Sequence, residues 1–142
     1  MGPSRGNIRV WEKRDVLLQE GPIVPVERIP DIVLSKMGTQ IEGNRSVILT
    51  LERRLHYLQR HPEMAKRESI FPNVINNPDE VHKNRRNSQI FNFYKRISEK
   101  HYLRLTVVIE KPGKFKHSII TARLAKIKEV QRGQKKGLNI WP

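Results

Sequence analysis

The chain has 142 residues, and its 28 Lys and Arg against 14 Asp and Glu give a formal charge of +14, which opposes compaction unless a polyanion offsets it. It is long enough to bury one core, and with no cysteine it excludes a disulfide framework and a thiolate zinc site. No apolar run approaches the roughly 20 residues of a membrane-spanning helix, and Met1–Trp11 lacks the apolar core of a secretory signal, so a soluble, cytoplasmic protein with a nucleic-acid partner and no membrane contact is expected.

Residues 1–31 read as a loosely organised extension ahead of one domain over 32–142. Ile8–Trp11, Val16–Leu18, Ile23–Val26 and Ile32–Leu34 are short apolar patches broken by Pro22, Pro25 and Pro30, which predicts extended or edge segments. Over Ser46–Arg60 the recurrence of Ile48, Leu51, Leu55 and Leu58 predicts an amphipathic helix that turns His56 outward. His61-Pro62-Glu63 ends it and starts another turn. A further short helix is expected over Ile70–Asn76, with Ser69 as its cap, Val74 and Ile75 inward, and Asn77-Pro78 closing it.

From Glu80 the period changes to two. Glu80–Lys83 is a first short strand; Phe91, Phe93 and Ile97 then alternate with Asn92, Tyr94 and Arg96, and Leu103, Leu105, Val107 and Ile109 with Arg104, Thr106 and Val108. Lys111–Lys114 supplies a hairpin turn, after which Ile120, Ala122 and Leu124 oppose Ile119, Thr121 and Arg123. Lys126–Lys136 reads as a solvated basic loop, and Leu138, Ile140 and Trp141 as an apolar anchor. The expected fold is α+β, with the extension and helices packed on a roughly four-stranded antiparallel sheet.

The sequence has no Gly-rich phosphate loop, no H-E-x-x-H and only three Asp, so metal-dependent nuclease chemistry is disfavoured and neither a metal nor a cofactor is expected. Metal-free RNA cleavage needs a base, an acid and cations around the phosphorane. If Phe91 and Phe93 face the helices, then Asn92, Tyr94, Arg96, Arg104, Thr106, Thr121 and Arg123 share the opposite face, with Glu110 as its lone acid. A polar solvent face is the plain alternative for these residues, and a capping role is the plain alternative for His61. His82, His101 and His117 read as surface residues at strand ends, and Trp11 and Trp141 as packing anchors.

The motif order Ile32-Val33-Leu34-Ser35, Arg60-His61-Pro62-Glu63, Val74-Ile75-Asn76-Asn77-Pro78-Asp79-Glu80-Val81, Phe93-Tyr94-Lys95 and Ile119-Ile120-Thr121-Ala122-Arg123 resembles the phage-associated nuclease-like domains grouped with barnase, EndoU, the colicin-type tRNases and RelE-like toxins. The resemblance covers about residues 32–141 and implies metal-independent RNA cleavage on a four-stranded antiparallel sheet. It places His61 with Glu63, Tyr94 with Lys95, and Thr121 with Arg123 in the matching elements.

The expected function is an endoribonuclease acting by 2′-hydroxyl attack, a toxin or phage effector. His61 is its acid or base, Tyr94 stacks or donates a proton, Thr121 orients substrate and Arg123 holds phosphate. His56, Lys95, Arg96, Arg104, Lys126, Arg132, Lys135 and Lys136 are the expected contacts to tRNA, mRNA or ribosome-associated RNA. The alternatives are a non-catalytic RNA- or DNA-binding module and a basic protein bound by an acidic partner such as an antitoxin.

Overall fold

In the computed structural model, which describes residues 23–38, 46–109 and 117–142, Val81, Phe93, Leu103, Leu105 and Val107 are all fully buried while their strand neighbours are mostly not. That alternation builds β3 (Glu80–Lys83), β4 (Ile90–Arg96), β5 (His101–Val108) and β6 (His117–Lys126). Each is antiparallel to the next, with Phe93 opposite Val81 and Leu105, and Leu105 opposite Ala122.

The sheet does not stop at four strands. Among the described residues it has seven, in the order β1-β2-β6-β5-β4-β3-β7, where β1 is Ile23–Arg28, β2 is Ser46–Thr50 and β7 is Asn139–Trp141. It is also mixed, because β2 lies parallel to β6 while every other pair is antiparallel. The expected four-stranded antiparallel layout is therefore replaced, although the α+β class holds. Three segments explain the difference, one misread as helix, one read as an edge segment but not counted in the sheet, and β7, read only as an apolar anchor. Val47, Ile48 and Leu49 are three consecutive buried residues, the pattern of a strand covered on both faces rather than the start of a helix. Ile23–Arg28, whose Ile23–Val26 was expected as an extended edge segment, does form an edge strand, pairing with β2, and accommodates Pro25 there, where the missing donor costs no ladder bond.

The helices follow the same logic. Ile32–Leu34 lies in α1 (Asp31–Met37), not in an extended segment: Pro30 precedes its first turn and Gly38, at φ +71°, ends it. The predicted long helix is shortened to α2 (Leu51–Arg60), capped by the Thr50 side chain accepting from the Arg53 N–H. Its buried residue is Tyr57, whereas Leu55 is 56 % exposed, so the inward stripe is rotated from the expected one.

A 3₁₀ segment (Pro62–Ile70) leads into α3 (Phe71–Asn76), which buries Val74 and Ile75 as expected. Tyr57, Met64, Phe71, Val74 and Ile75 pack with Phe93, Leu103 and Leu105 in one continuous core, so these helices cover one face of the sheet. On that side Arg54 grips Glu68 with two hydrogen bonds of 2.7 and 2.9 Å, and the Tyr57 hydroxyl donates to the same carboxylate.

Lys126–Lys136 is not a loop, because Ile127–Lys135 forms α4 and buries Val130 and Gly133. Beyond it β7 pairs with β3, and the Trp141 indole N–H donates to the Pro78 carbonyl at 3.2 Å. His82 and His117 are buried, at 2 % and 1 % exposure, and are not surface residues. Among the described residues no helix is long and apolar enough to cross a membrane. Ile8–Trp11, Val16–Leu18, Glu110 and the Lys111–Lys114 turn lie outside the described residues.

Candidate nucleic-acid interface

Strand register fixes which side chains share the face that the N-terminal helices leave uncovered. Tyr94 lies opposite Arg104 and Arg104 opposite Arg123; one step along, Asn92 lies opposite Thr106 and Thr106 opposite Thr121. Alternation then puts Asn92, Tyr94, Arg104, Thr106, Thr121 and Arg123 on a single face. Past Thr121 the register slips. Ile119, rather than Ile120, pairs with Val107 and is buried, so a bulge at Ile120 restores an apolar side chain to the core.

Helix α4 crosses this face and changes its electrostatics. Its Glu129 carboxylate accepts from Arg123 at 2.8 Å, from Arg104 at 3.0 Å and from the Tyr94 hydroxyl at 3.1 Å. Burial opposes its ionisation, but the Arg104 charge, the Arg123 hydrogen bond and charge, and the Tyr94 hydrogen bond outweigh it and hold Glu129 below the ordinary carboxylate range. Burial, reinforced by the Glu129 charge, pushes the Tyr94 hydroxyl up to about 12, so it is neutral near pH 7. Tyr94 as a whole is 3 % exposed, its ring flanked by His82 at a centroid distance of 4.8 Å and by Tyr102 at 6.1 Å. Packed in this way the Tyr94 ring offers no open face for a base to stack on.

Beside α4 a groove of about 540 Å³ opens along the end of β6, lined by His101, Arg123, Lys126, Lys128, Glu129 and Arg132. The ladder between β2 and β6 covers only His117 and Ser118, which leaves the later part of β6 at an edge. His101 reaches this groove because it pairs with Lys126 at the end of the β5–β6 ladder. Four cations line the groove against one acid, and that acid is already engaged by Arg104 and Arg123.

The expected site residues divide between the two faces. Tyr94, Thr121, Arg123 and Arg104 share the uncovered face, and Lys126 and Arg132 join Arg123 at the groove. His61 ends α2, on the side of the sheet where Tyr57 and Phe93 share one core, and its nearest charged partner is Glu63 at 3.9 Å. No hydrogen bond or ion pair among the described residues joins His61 to Tyr94 or Arg123. His56 is exposed on α2, on the same helical side.

Lys95 also leaves the uncovered face, donating to the Asn77 carbonyl at 2.8 Å with Asp79 3.5 Å away. Arg96 spends its guanidinium on the Ser98 and Glu99 carbonyls above the Tyr102 ring. Lys135 and Lys136 are exposed at the end of α4. Sequence reasoning missed Glu129, Lys128 and His101. The signal for Glu129 was present in Ile127 and Val130, three residues apart, with Glu129 between them in the first turn of a helix.

No protein-family model, curated protein or solved structure matches this chain. Among the described residues there is no group of three or more His, Asp or Glu placed to hold a metal ion.

Proposed function

We propose that this chain binds RNA by its phosphates in the groove between β6 and α4. The observation that carries this reading is the charge imbalance there: Arg123, Lys126, Lys128 and Arg132 surround a groove whose only acid among the described residues, Glu129, is already neutralised. Such unbalanced cations attract a polyanion and gain by releasing its condensed counterions. For single-stranded RNA the logarithm of affinity should fall with the logarithm of salt by roughly 0.7 per phosphate contact. Lys128→Gln and Arg132→Gln should each flatten that slope by about one contact. A wild-type affinity indifferent to salt overturns the reading and hands the basic surface to an acidic protein such as an antitoxin.

Metal-independent cleavage is the second reading, favoured by His101 in the same groove as Arg123, Lys126 and Lys128. In that reaction a base takes the 2′-hydroxyl proton, the 2′-oxygen attacks phosphorus, and the 5′-oxygen leaves with a proton from an acid, giving a 2′,3′-cyclic phosphate. His101 is the group placed for proton transfer, and Arg123 and Lys128 stabilise the phosphorane charge. His61 is not assigned to it, since it ends a helix on the other side of the sheet. The test is labelled tRNA and mRNA in excess EDTA. A cyclic-phosphate product that His101→Ala abolishes, with RNA affinity retained, supports cleavage; intact RNA with a gel shift leaves binding alone.

A further inference from the structure

A second pocket, of about 190 Å³, lies against α4 between the sheet and the helix. It is lined by Asn92, Tyr94 and Arg104 from the sheet, Arg132 and Lys136 from the end of α4, and Lys83 from the end of β3. Glu129 and Arg132 also line the groove, so the two cavities adjoin along the helix.

The hydrogen-bonding capacity left in this pocket is almost entirely donor capacity. Both Glu129 oxygens are taken by Arg104, Arg123 and Tyr94. The Asn92 amide oxygen accepts from the Thr106 hydroxyl at 2.6 Å, which leaves its NH₂ as the free end. Arg104 commits its Nη1 to Glu129, while its Nε is buried with no hydrogen-bond partner. A buried guanidinium N–H without an acceptor is costly to leave unmade, and the Nε edge of arginine is the edge that takes a phosphate or carboxylate side-on. Lys83, Arg132 and Lys136 add positive charge around it. The complementary ligand is therefore compact, anionic and rich in acceptor oxygens.

We propose that this pocket is a phosphoryl-binding site, in which Arg104 Nε and the Asn92 NH₂ hold the phosphoryl oxygens and Lys83 and Lys136 neutralise their charge. It deepens the RNA-binding reading on which it rests, because it gives the strand a second phosphate position across α4 from the groove. The phosphoryl group has two sources, an internucleotide phosphate or a terminal one.

Arginine Nε–H resonances, followed by NMR while inorganic phosphate is added, read the site directly. The Arg104 Nε–H is expected to shift on titration. Asn92→Asp keeps the acceptor for Thr106 but turns the free donor into a carboxylate, and should weaken phosphate binding by about tenfold or more, the loss of one hydrogen bond to a charged group. Lys83→Gln with Lys136→Gln, both at exposed positions, should weaken it as well and serves where Asn92→Asp fails to fold.

A single-stranded RNA with and without a 5′-phosphate separates the sources. A shift of Arg104 Nε–H with both RNAs assigns an internucleotide phosphate, and a shift only with the phosphorylated RNA assigns a terminal one. An Arg104 Nε–H unmoved by phosphate and by both RNAs overturns the proposal, as does phosphate affinity unchanged in both variants. Salt-dependent RNA binding that Lys128→Gln still weakens would then leave the groove reading standing. Conversely, loss of the groove reading does not remove a phosphate response at Arg104.

Discussion

Glu68 on the helical side of the sheet and Glu129 on the other side each hold arginine and a tyrosine hydroxyl, with different results. Glu68 is 6 % exposed and joins α2 to the 3₁₀ segment through Arg54 and the fully buried Tyr57. Glu129 keeps 22 % of its side chain exposed, answers two arginines with one charge, and borders the groove. One acid against one cation closes a cluster into a fastening between elements. One acid against two cations, with more lysine and arginine around it, leaves positive charge facing solvent. The chemistry of the groups is the same, and the surplus decides whether they stabilise the fold or recruit an anion.

The broadest break in this comparison is between the two faces themselves. Leu105→Asp should unfold the protein, because Leu105 is fully buried and an unpaired carboxylate there costs several kcal/mol, on the order of the whole stability. Arg104→Gln, one residue away on the polar face, should leave the fold intact at a far smaller cost, since Arg123 still answers Glu129, and circular dichroism with urea titration checks both. Equal behaviour of the two would show that the strand register does not separate core from site.

Next in size is Glu68→Ala, which leaves the buried Tyr57 hydroxyl without its acceptor and removes the carboxylate that Arg54 grips, and should cost about 3 kcal/mol in urea unfolding. Glu129→Gln should cost less, since the Glu129 side chain is 22 % exposed against 8 % for Glu68 and water can take over part of the carboxylate's role. Acid sharpens this pair. With its native pKa depressed, Glu129 adds stability that is complete above the ordinary carboxylate pKa and fades as pH falls through the lower native value. Glu129→Gln should lose that component of acid unfolding, leave the profile near neutral pH nearly flat, and move the alkaline loss tied to Tyr94 to lower pH, because the charge that helps raise Tyr94 is gone.

The smallest effect belongs to Tyr94. Its hydroxyl is raised from 10.0 to about 12, so its contribution is complete below pH 10 and lost as pH rises toward and through 12. Ultraviolet titration of phenolate should show one tyrosine ionising near 12, absent in Tyr94→Phe. Near neutral pH that variant should lose about 1 kcal/mol, the net worth of one hydrogen bond. Loss of several kcal/mol would place Tyr94 with the Glu68 type of cluster instead.

The parts of the fold legible in the sequence were those where one physical signal dominated. Period-two alternation through Phe91, Phe93, Leu103, Leu105 and Val107 located β4 and β5, and it also sorted Asn92, Tyr94, Arg104, Thr106 and Arg123 onto one face. Alternation says nothing about where it slips, so the bulge at Ile120 was invisible. β2 was misread because three successive buried residues satisfy a helical stripe as readily as a strand covered on both faces. α4 was misread because its buried residues are Val130 and a glycine, a single apolar side chain among basic and polar neighbours. The candidate site suffered from a different gap: a sequence orders His61 before Tyr94 but does not say on which side of a sheet a helix packs, and the α2 core placed them apart.

Gly133 carries more weight than its lack of a side chain suggests. A Cβ there would stand 2.3 Å from His82 Nδ1, and His82 is 2 % exposed with its other ring nitrogen 2.8 Å from Glu80, so it has little room to retreat. One absent methyl group therefore acts as a spacer of zero thickness that sets how low α4 rides above β3. Alanine at that position would be a mechanical shim: it alters no charge and no hydrogen-bonding side chain, yet it would jack up the helix end bearing Arg132 and Lys136. The clearance of the recess beneath α4 is thus adjustable in the gene by a single carbon atom.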